Sequence, residues 1–107
     1  MAKKKALEVV KFVKKCLIDD GLDISKIILF GSNAKGKASP DSDIDIIVIS
    51  ESFRNKGIFK RVELIKRAEI SAIKKFMIPL DILVMTNEEF ESENSLISDY
   101  AQESIVI

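Results

Sequence analysis

Apolar residues recur along residues 4–19 at helical spacing. Leu7, Val10, Val13 and Leu17 follow one another at intervals of three, three and four, while Lys4, Glu8, Lys11 and Lys15 fall on another face. That period predicts an amphipathic helix. Gly21 stands where a left-handed cap is expected to end it. The pattern then shortens. KIILF, Lys26–Phe30, is β-branched and bounded by polar residues, and it reads as a buried strand. GSNAKGKASPDS, Gly31–Ser42, is a loop with room for one helical turn after Ser32. DIDIIVIS, Asp43–Ser50, is a second strand with an apolar body and a carboxylate-bearing start.

Residues 52–78 return to the helical period, with Phe59, Val62, Ile65, Ala68, Ala72 and Phe76 as the apolar stripe. The helix proper is expected from Ile58, with a break near Ser71, and Pro79 stops it. LDILVMT, Leu80–Thr86, is a third strand, and Thr86 or Asn87 is placed to cap a short acidic helix over 88–93. A further helix near 96–102 and an edge strand in the terminal SIVI complete the reading. The order implies an α/β (α+β) fold, a small mixed sheet with helices packed on it. A long helical connection lets the second and third strands run parallel through a right-handed crossover, while the first two pair antiparallel.

Composition narrows the chemistry. With 107 residues the chain is expected to be one domain, 1–107, with one modest core. Seventeen basic and seventeen acidic residues cancel, which argues against a dedicated nucleic-acid coat or a strongly basic membrane binder. There is no histidine, so His-based triads and imidazole acid–base pairs are excluded. Cys16 is alone, which rules out an internal disulfide and is read as a buried structural thiol on the first helix. The opening MAKKKALEVVKFVKK is interrupted by Glu8, Lys11, Lys14 and Lys15, so neither a signal peptide nor a membrane span is expected, and the location is expected to be cytoplasmic. What remains is carboxylate, hydroxyl, lysine and backbone chemistry, which suits hard cations such as Mg²⁺.

Asp43 and Asp45 are two apart on a strand, so their side chains share a face, and the pair sits at the strand's solvent end. Adjacent carboxylates repel unless a cation lies between them. Gly31 ends the first strand, so antiparallel pairing brings the loop to the same edge. Asp81 opens the third strand with the parity of Leu83 and Met85, and parallel pairing puts it beside the other two. Three carboxylates at one end of one sheet make a candidate site for two Mg²⁺ ions. Gly31 lets a phosphate approach the backbone, Ser32 adds a hydroxyl donor, and Lys35 and Lys37 are the nearest cations. Metal plus phosphate loop suits phosphoryl or nucleotidyl transfer.

Gly31-Ser32, ten residues, then Asp43-x-Asp45 resembles the signature of the minimal nucleotidyltransferases, small members of the polymerase-β-type superfamily. The leading helix, the later Asp81 after Pro79-Leu80, and the acidic segment Thr86–Glu91 resemble that family too, so the likeness covers nearly the whole chain. The resemblance implies the nucleotidyltransferase fold, with Asp43 and Asp45 as ligands of both metals. It implies that Asp81 completes the catalytic site and helps activate the attacking hydroxyl. It also implies that Gly31 and Ser32, with Lys35, hold the triphosphate, and that ATP is the donor. Such proteins commonly accompany a HEPN-domain partner as a toxin–antitoxin pair, and some transfer AMP to a tyrosine of that toxin. The resemblance thus implies an antitoxin in a hetero-oligomer.

The loop here reads GSNAKG where the family often has GSRARG, so Asn33 and Lys35 replace arginines and lose the bidentate fork. That motivates a rival reading, a non-catalytic binding module that neutralises a partner by occlusion. A nucleic-acid polymerase is disfavoured, since the chain leaves no room for a template-gripping domain. Tyr100, the only tyrosine, is read as packing a C-terminal helix. Between Val84 and Ile107 there are six acids and no Lys or Arg, a run able to steer a basic partner.

Overall fold

The computed structural model describes residues 2–31, 43–92 and 105–107. Helix α1 (Ala2–Asp19) leads into strand β1 (Ile24–Phe30). Strand β2 (Ile44–Ser50) is followed by a 3₁₀ turn (Glu51–Phe53), helix α2 (Ile58–Phe76), β3 (Leu80–Met85), the short helix α3 (Asn87–Ser92) and β4 (Ile105–Val106). These strands form one mixed sheet in the order β3-β2-β1-β4. β1 pairs antiparallel with β2 and β4, and β2 pairs parallel with β3, across which α2 makes the connection. The mixed sheet expected from the element order is the one found, with the last residues on its edge.

Local chemistry sets the ends of the helices. Gly21 has φ of 92°, and the Leu22 N–H donates to the Leu17 carbonyl at 3.1 Å, so the chain turns sharply into β1. α2 ends on Met77 with φ of 57°, whose N–H donates to the Ile73 carbonyl at 2.8 Å. The expected break near Ser71 does not occur. Ala68 and Ala72 are both buried on one unbroken face, and small side chains there let α2 lie close to its neighbours.

The sheet's two faces carry different loads. On one, α1 and α2 bury Val10, Val13, Leu17 and Ile65 against Leu29 and Ile46, which forms the main core. On the other, a smaller cluster of Ile28, Ile47 and Ile49 is closed by Phe30, Met85 and Phe90 of α3. Two expectations need correcting. Phe59 is 90% exposed and Val62 43% exposed, so the apolar stripe of α2 is buried only from Ile65 onward. A 19-residue helix is about 28 Å long, whereas a six-residue strand spans about 20 Å, so the first turns of α2 overhang the sheet. Cys16 is half-buried at the rim of the core, not enclosed by it.

A polar latch fixes α3. The Glu89 N–H donates to Thr86 Oγ1 at 3.2 Å while the Thr86 N–H donates to Glu89 Oε1 at 2.9 Å, a reciprocal capping box. Arg61 of α2 then grips the same carboxylate with both guanidinium nitrogens, at 2.6 and 2.9 Å. That fork, helped by the Thr86 N–H, draws the Glu89 pKa down to about 2. Because the folded pKa lies below the ordinary one, the pair's contribution is complete above roughly pH 4.5 and is lost as pH falls toward 2. Glu89 is partly solvated, so screening trims the pair, and Arg61→Ala is expected to cost about 1 kcal/mol. Melting curves between pH 3 and 7 check this: the variant should melt several degrees lower at pH 7 and lose less on acidification. Equal acid sensitivity in both proteins would remove the latch from the account.

Candidate active site

The site is built where three strand ends meet. The pleat of β2 sends Ile44, Ile46 and Val48 into the main core, and Asp45, Ile47 and Ile49 to the opposite face. The parallel register sets Asp81 directly alongside Asp45, and the antiparallel register sets Phe30 on its other side. Asp43 lies one residue before β2 and is exposed. The structure therefore brings the three sequence-predicted carboxylates to one edge of one sheet. Beneath them, in the next row, Ile28, Ile47 and Leu83 are in register, and Leu83 is 44% exposed. The carboxylates thus rest above an apolar floor.

Gly31 closes the site more tightly than its place in the motif suggests. Its φ is 74°, and a Cβ built on it would stand 2.6 Å from Asp45 Oδ2. The backbone at the end of β1 therefore lies against the Asp45 carboxylate, an approach only glycine permits. Ser32, Asn33, Lys35, Lys37 and Ser42 of the expected phosphate loop lie outside the described residues, as does Tyr100.

Electrostatics single out Asp45. Partial burial, then the charge of Asp81, then that of Asp43, all raise its pKa above the ordinary carboxylate value. Each cause penalises the same negative charge, and a cation would relieve all three. Oxygen-only donors suit a hard divalent ion. Among the described residues, no three Asp, Glu or Cys side chains already stand close enough to enclose one. The donor chemistry fits Mg²⁺, while the carboxylates as they stand do not form a finished cage.

Two features escaped the sequence reading. The latch joining Arg61 to Glu89 had a signal, since Thr86-x-x-Glu89 is a capping-box spacing, but nothing in the chain names its arginine. Lysine–aromatic contacts between the two long helices had no linear signal. They join Lys5 and Phe12 of α1 to Lys75 and Phe76 of α2.

Comparison with known proteins agrees with this geometry. A 48-residue stretch, 45% of this chain, is 42% identical to a protein of Methanocaldococcus jannaschii assigned by name, without proof of activity, to the protein adenylyltransferases. That stretch spans a third of the relative's length. A provisionally assigned nucleotidyltransferase from Sulfolobus solfataricus superposes with a TM-score of 0.69 at 18% identity, over 98% of this chain and 81% of that one, which shows the fold. A toxin–antitoxin complex solved with AMP-PNP aligns more loosely, with a TM-score of 0.49 at 21% identity over 78% of this chain and 57% of that one, too loose to bear on function. The model of the nucleotidyltransferase domain matches residues 9–107, almost the whole chain. The family suggested by the Gly-Ser and Asp-x-Asp spacing is the family found: this protein belongs to the nucleotidyltransferase domain family.

Proposed function

We propose that the protein transfers AMP from ATP to a hydroxyl of a partner protein, as the antitoxin of a HEPN-type pair. The observation that carries the reading is the placement of Asp45 beside Asp81 and against the Gly31 backbone. In the reaction the acceptor oxygen bonds to the α-phosphorus, the bond from that phosphorus to the bridging oxygen breaks, and pyrophosphate leaves. Asp81, exposed at the start of β3, takes the hydroxyl proton and returns it to water. Asp43 and Asp45, with Asp81, are the residues that would hold Mg²⁺, two ions by resemblance. The metal would neutralise charge on the phosphates when bound. Gly31 leaves room for phosphate at the strand end, and Ser32 and Lys35 are proposed to hold the triphosphate. ATP as donor and the HEPN partner rest on the family resemblance, and a protein acceptor is also supported by the name of the Methanocaldococcus relative. No helix among the described residues is long and apolar enough to cross a membrane, and we place the pair in the cytoplasm.

The test is co-expression with the partner, incubation with ATP labelled at the α-phosphate and Mg²⁺, and mass spectrometry of the partner. The expected result is an AMP adduct on a hydroxyl side chain, absent with Asp43→Asn. An equal adduct with Asp43→Asn would sink the assignment. The occlusion reading is favoured by one observation, Asn33 and Lys35 standing where the family often has loop arginines. Calorimetry separates the two: occlusion predicts tight partner binding unaffected by Asp43→Asn and no heat on adding ATP with Mg²⁺.

A further inference from the structure

The formal charge of zero conceals a strong division. α1 and α2 carry twelve Lys and Arg against four acids, leaving five basic and thirteen acidic residues for the rest of the chain. The acid side is partly consumed internally, since Glu88 pairs with Arg54 and Glu89 with Arg61. The helical layer is therefore a positive surface on a neutral protein.

One corner of that layer is organised. Phe12 and Phe76 meet edge to face at 5.6 Å between centroids. Lys75 Nζ stands 4.6 Å from the Phe12 centroid and 5.6 Å from that of Phe76, and Lys5 Nζ stands 5.1 Å from Phe76. Two ammonium groups thus share one ring. Among the described residues neither has a carboxylate partner. Met77, next in the chain, is 80% exposed. Like charges gathered on an aromatic pair attract an anion, beside apolar surface that aromatic or aliphatic side chains can cover.

The topology puts this corner at the reactive edge of the sheet, on the helical face, with the carboxylates on the face opposite. β1 ends there on Gly31, and α1, joined to the other end of β1 by a tight turn, runs back so that its first turns return to that edge. α2 ends there because β3 begins there. Phe76 is five residues before Asp81, so their Cα atoms are no more than about 18 Å apart.

We propose that the corner formed by Lys5, Phe12, Lys75, Phe76 and Met77 docks an acidic segment of the acceptor protein, flanking the hydroxyl that enters the carboxylate site. This rests on the transfer reading above. It differs in sign from the basic partner that the acidic run after Val84 suggested, because the charge gathered at this corner is positive.

The experiment uses the full chain and a fluorescein-labelled peptide with one tyrosine between two runs of four glutamates, read by fluorescence polarisation without nucleotide. The wild type should bind it, more weakly as salt rises. Lys5→Glu with Lys75→Glu should weaken binding at least tenfold, while Lys60→Glu with Lys66→Glu, an equal charge change elsewhere on α2, should weaken it far less. Thermal melting confirms that each variant is folded, and Lys5→Gln with Lys75→Gln should give an intermediate loss. Binding of ATP with Mg²⁺, measured separately by calorimetry, should be unchanged in all three variants. Four results would overturn the docking surface: no peptide binding by a wild type that binds ATP, equal losses in both reversals, equal binding of a peptide flanked by glutamines, or tighter binding of an RNA of the same charge at this corner. Loss of ATP binding by the reversal would assign the corner to the nucleotide and also overturn it. Peptide binding in a protein that never binds ATP would instead leave the surface standing and defeat the transfer reading.

Discussion

Asn in place of Asp45 is expected to make the metal-free protein more stable and to suppress nucleotidyl transfer. The two effects share one cause. Burial, Asp81 and Asp43 all work against the Asp45 charge, so its pKa is raised in the folded state. A carboxylate with a raised folded pKa weakens the fold when ionised, and stability should increase as pH falls through that pKa toward the ordinary one. A neutral carboxamide of the same shape removes the repulsion at every pH. The gain is expected to be about 0.5–1 kcal/mol, the size commonly found when an active site is relieved of its strain. The loss of function is larger. Withdrawing one of the proposed metal ligands should lower the rate roughly a thousandfold, about 4 kcal/mol of transition-state stabilisation. Melting curves with and without Mg²⁺ check the argument, since Mg²⁺ should raise the wild-type midpoint and leave Asp45→Asn unmoved. A variant that melts lower than the wild type without metal, or still responds to Mg²⁺, would refute it.

Gly31→Ala should damage the site through a single methyl group. The left-handed backbone at φ of 74° costs an alanine about 1–2 kcal/mol. The new Cβ would also stand 2.6 Å from Asp45 Oδ2, so the carboxylate must rotate away from its place beside Asp81. Displacement of a reacting group by an ångström can cost about a hundredfold in rate. Gly21 provides the control. Its φ of 92° imposes a similar conformational cost, yet nothing lies within 4 Å of its added Cβ. Gly21→Ala should therefore lose comparable stability and keep transfer intact at temperatures where it is folded. Activity assays on the two variants, with melting midpoints alongside, decide the matter. Equal activity in both would mean that the Gly31 contact with Asp45 has no part in the chemistry.

How much of this was legible in the chain depends on the range of each interaction. Periods of 3.6 and 2 are local, so α1, α2 and the three main strands could be read from their own residues, as could the stops at Gly21 and Pro79. Parity within a strand is equally local: it put Asp43 and Asp45 on one face and gave Asp81 the face of Leu83 and Met85. The metal role of these acids and the phosphate role of Gly31, Ser32 and Lys35 remain expectations from the motif, to be tested as above. The overhang of α2 was not legible, because Phe59 and Val62 keep the helical period whether or not a sheet lies beneath them.

By itself, then, the sequence determined α1, α2, the three main strands, their order, the family and the face that each carboxylate shares with its strand neighbours, since each follows from spacing along the chain. Only the tertiary structure decided the contact of Gly31 with Asp45, the register that sets Asp45 beside Asp81, and the grip of Arg61 on Glu89 across 28 residues. It alone gathered Lys5 and Lys75 on Phe76. Such pairings join segments distant in sequence, and their partners are chosen by how the helices and sheet pack together, a competition among faces that no local period records.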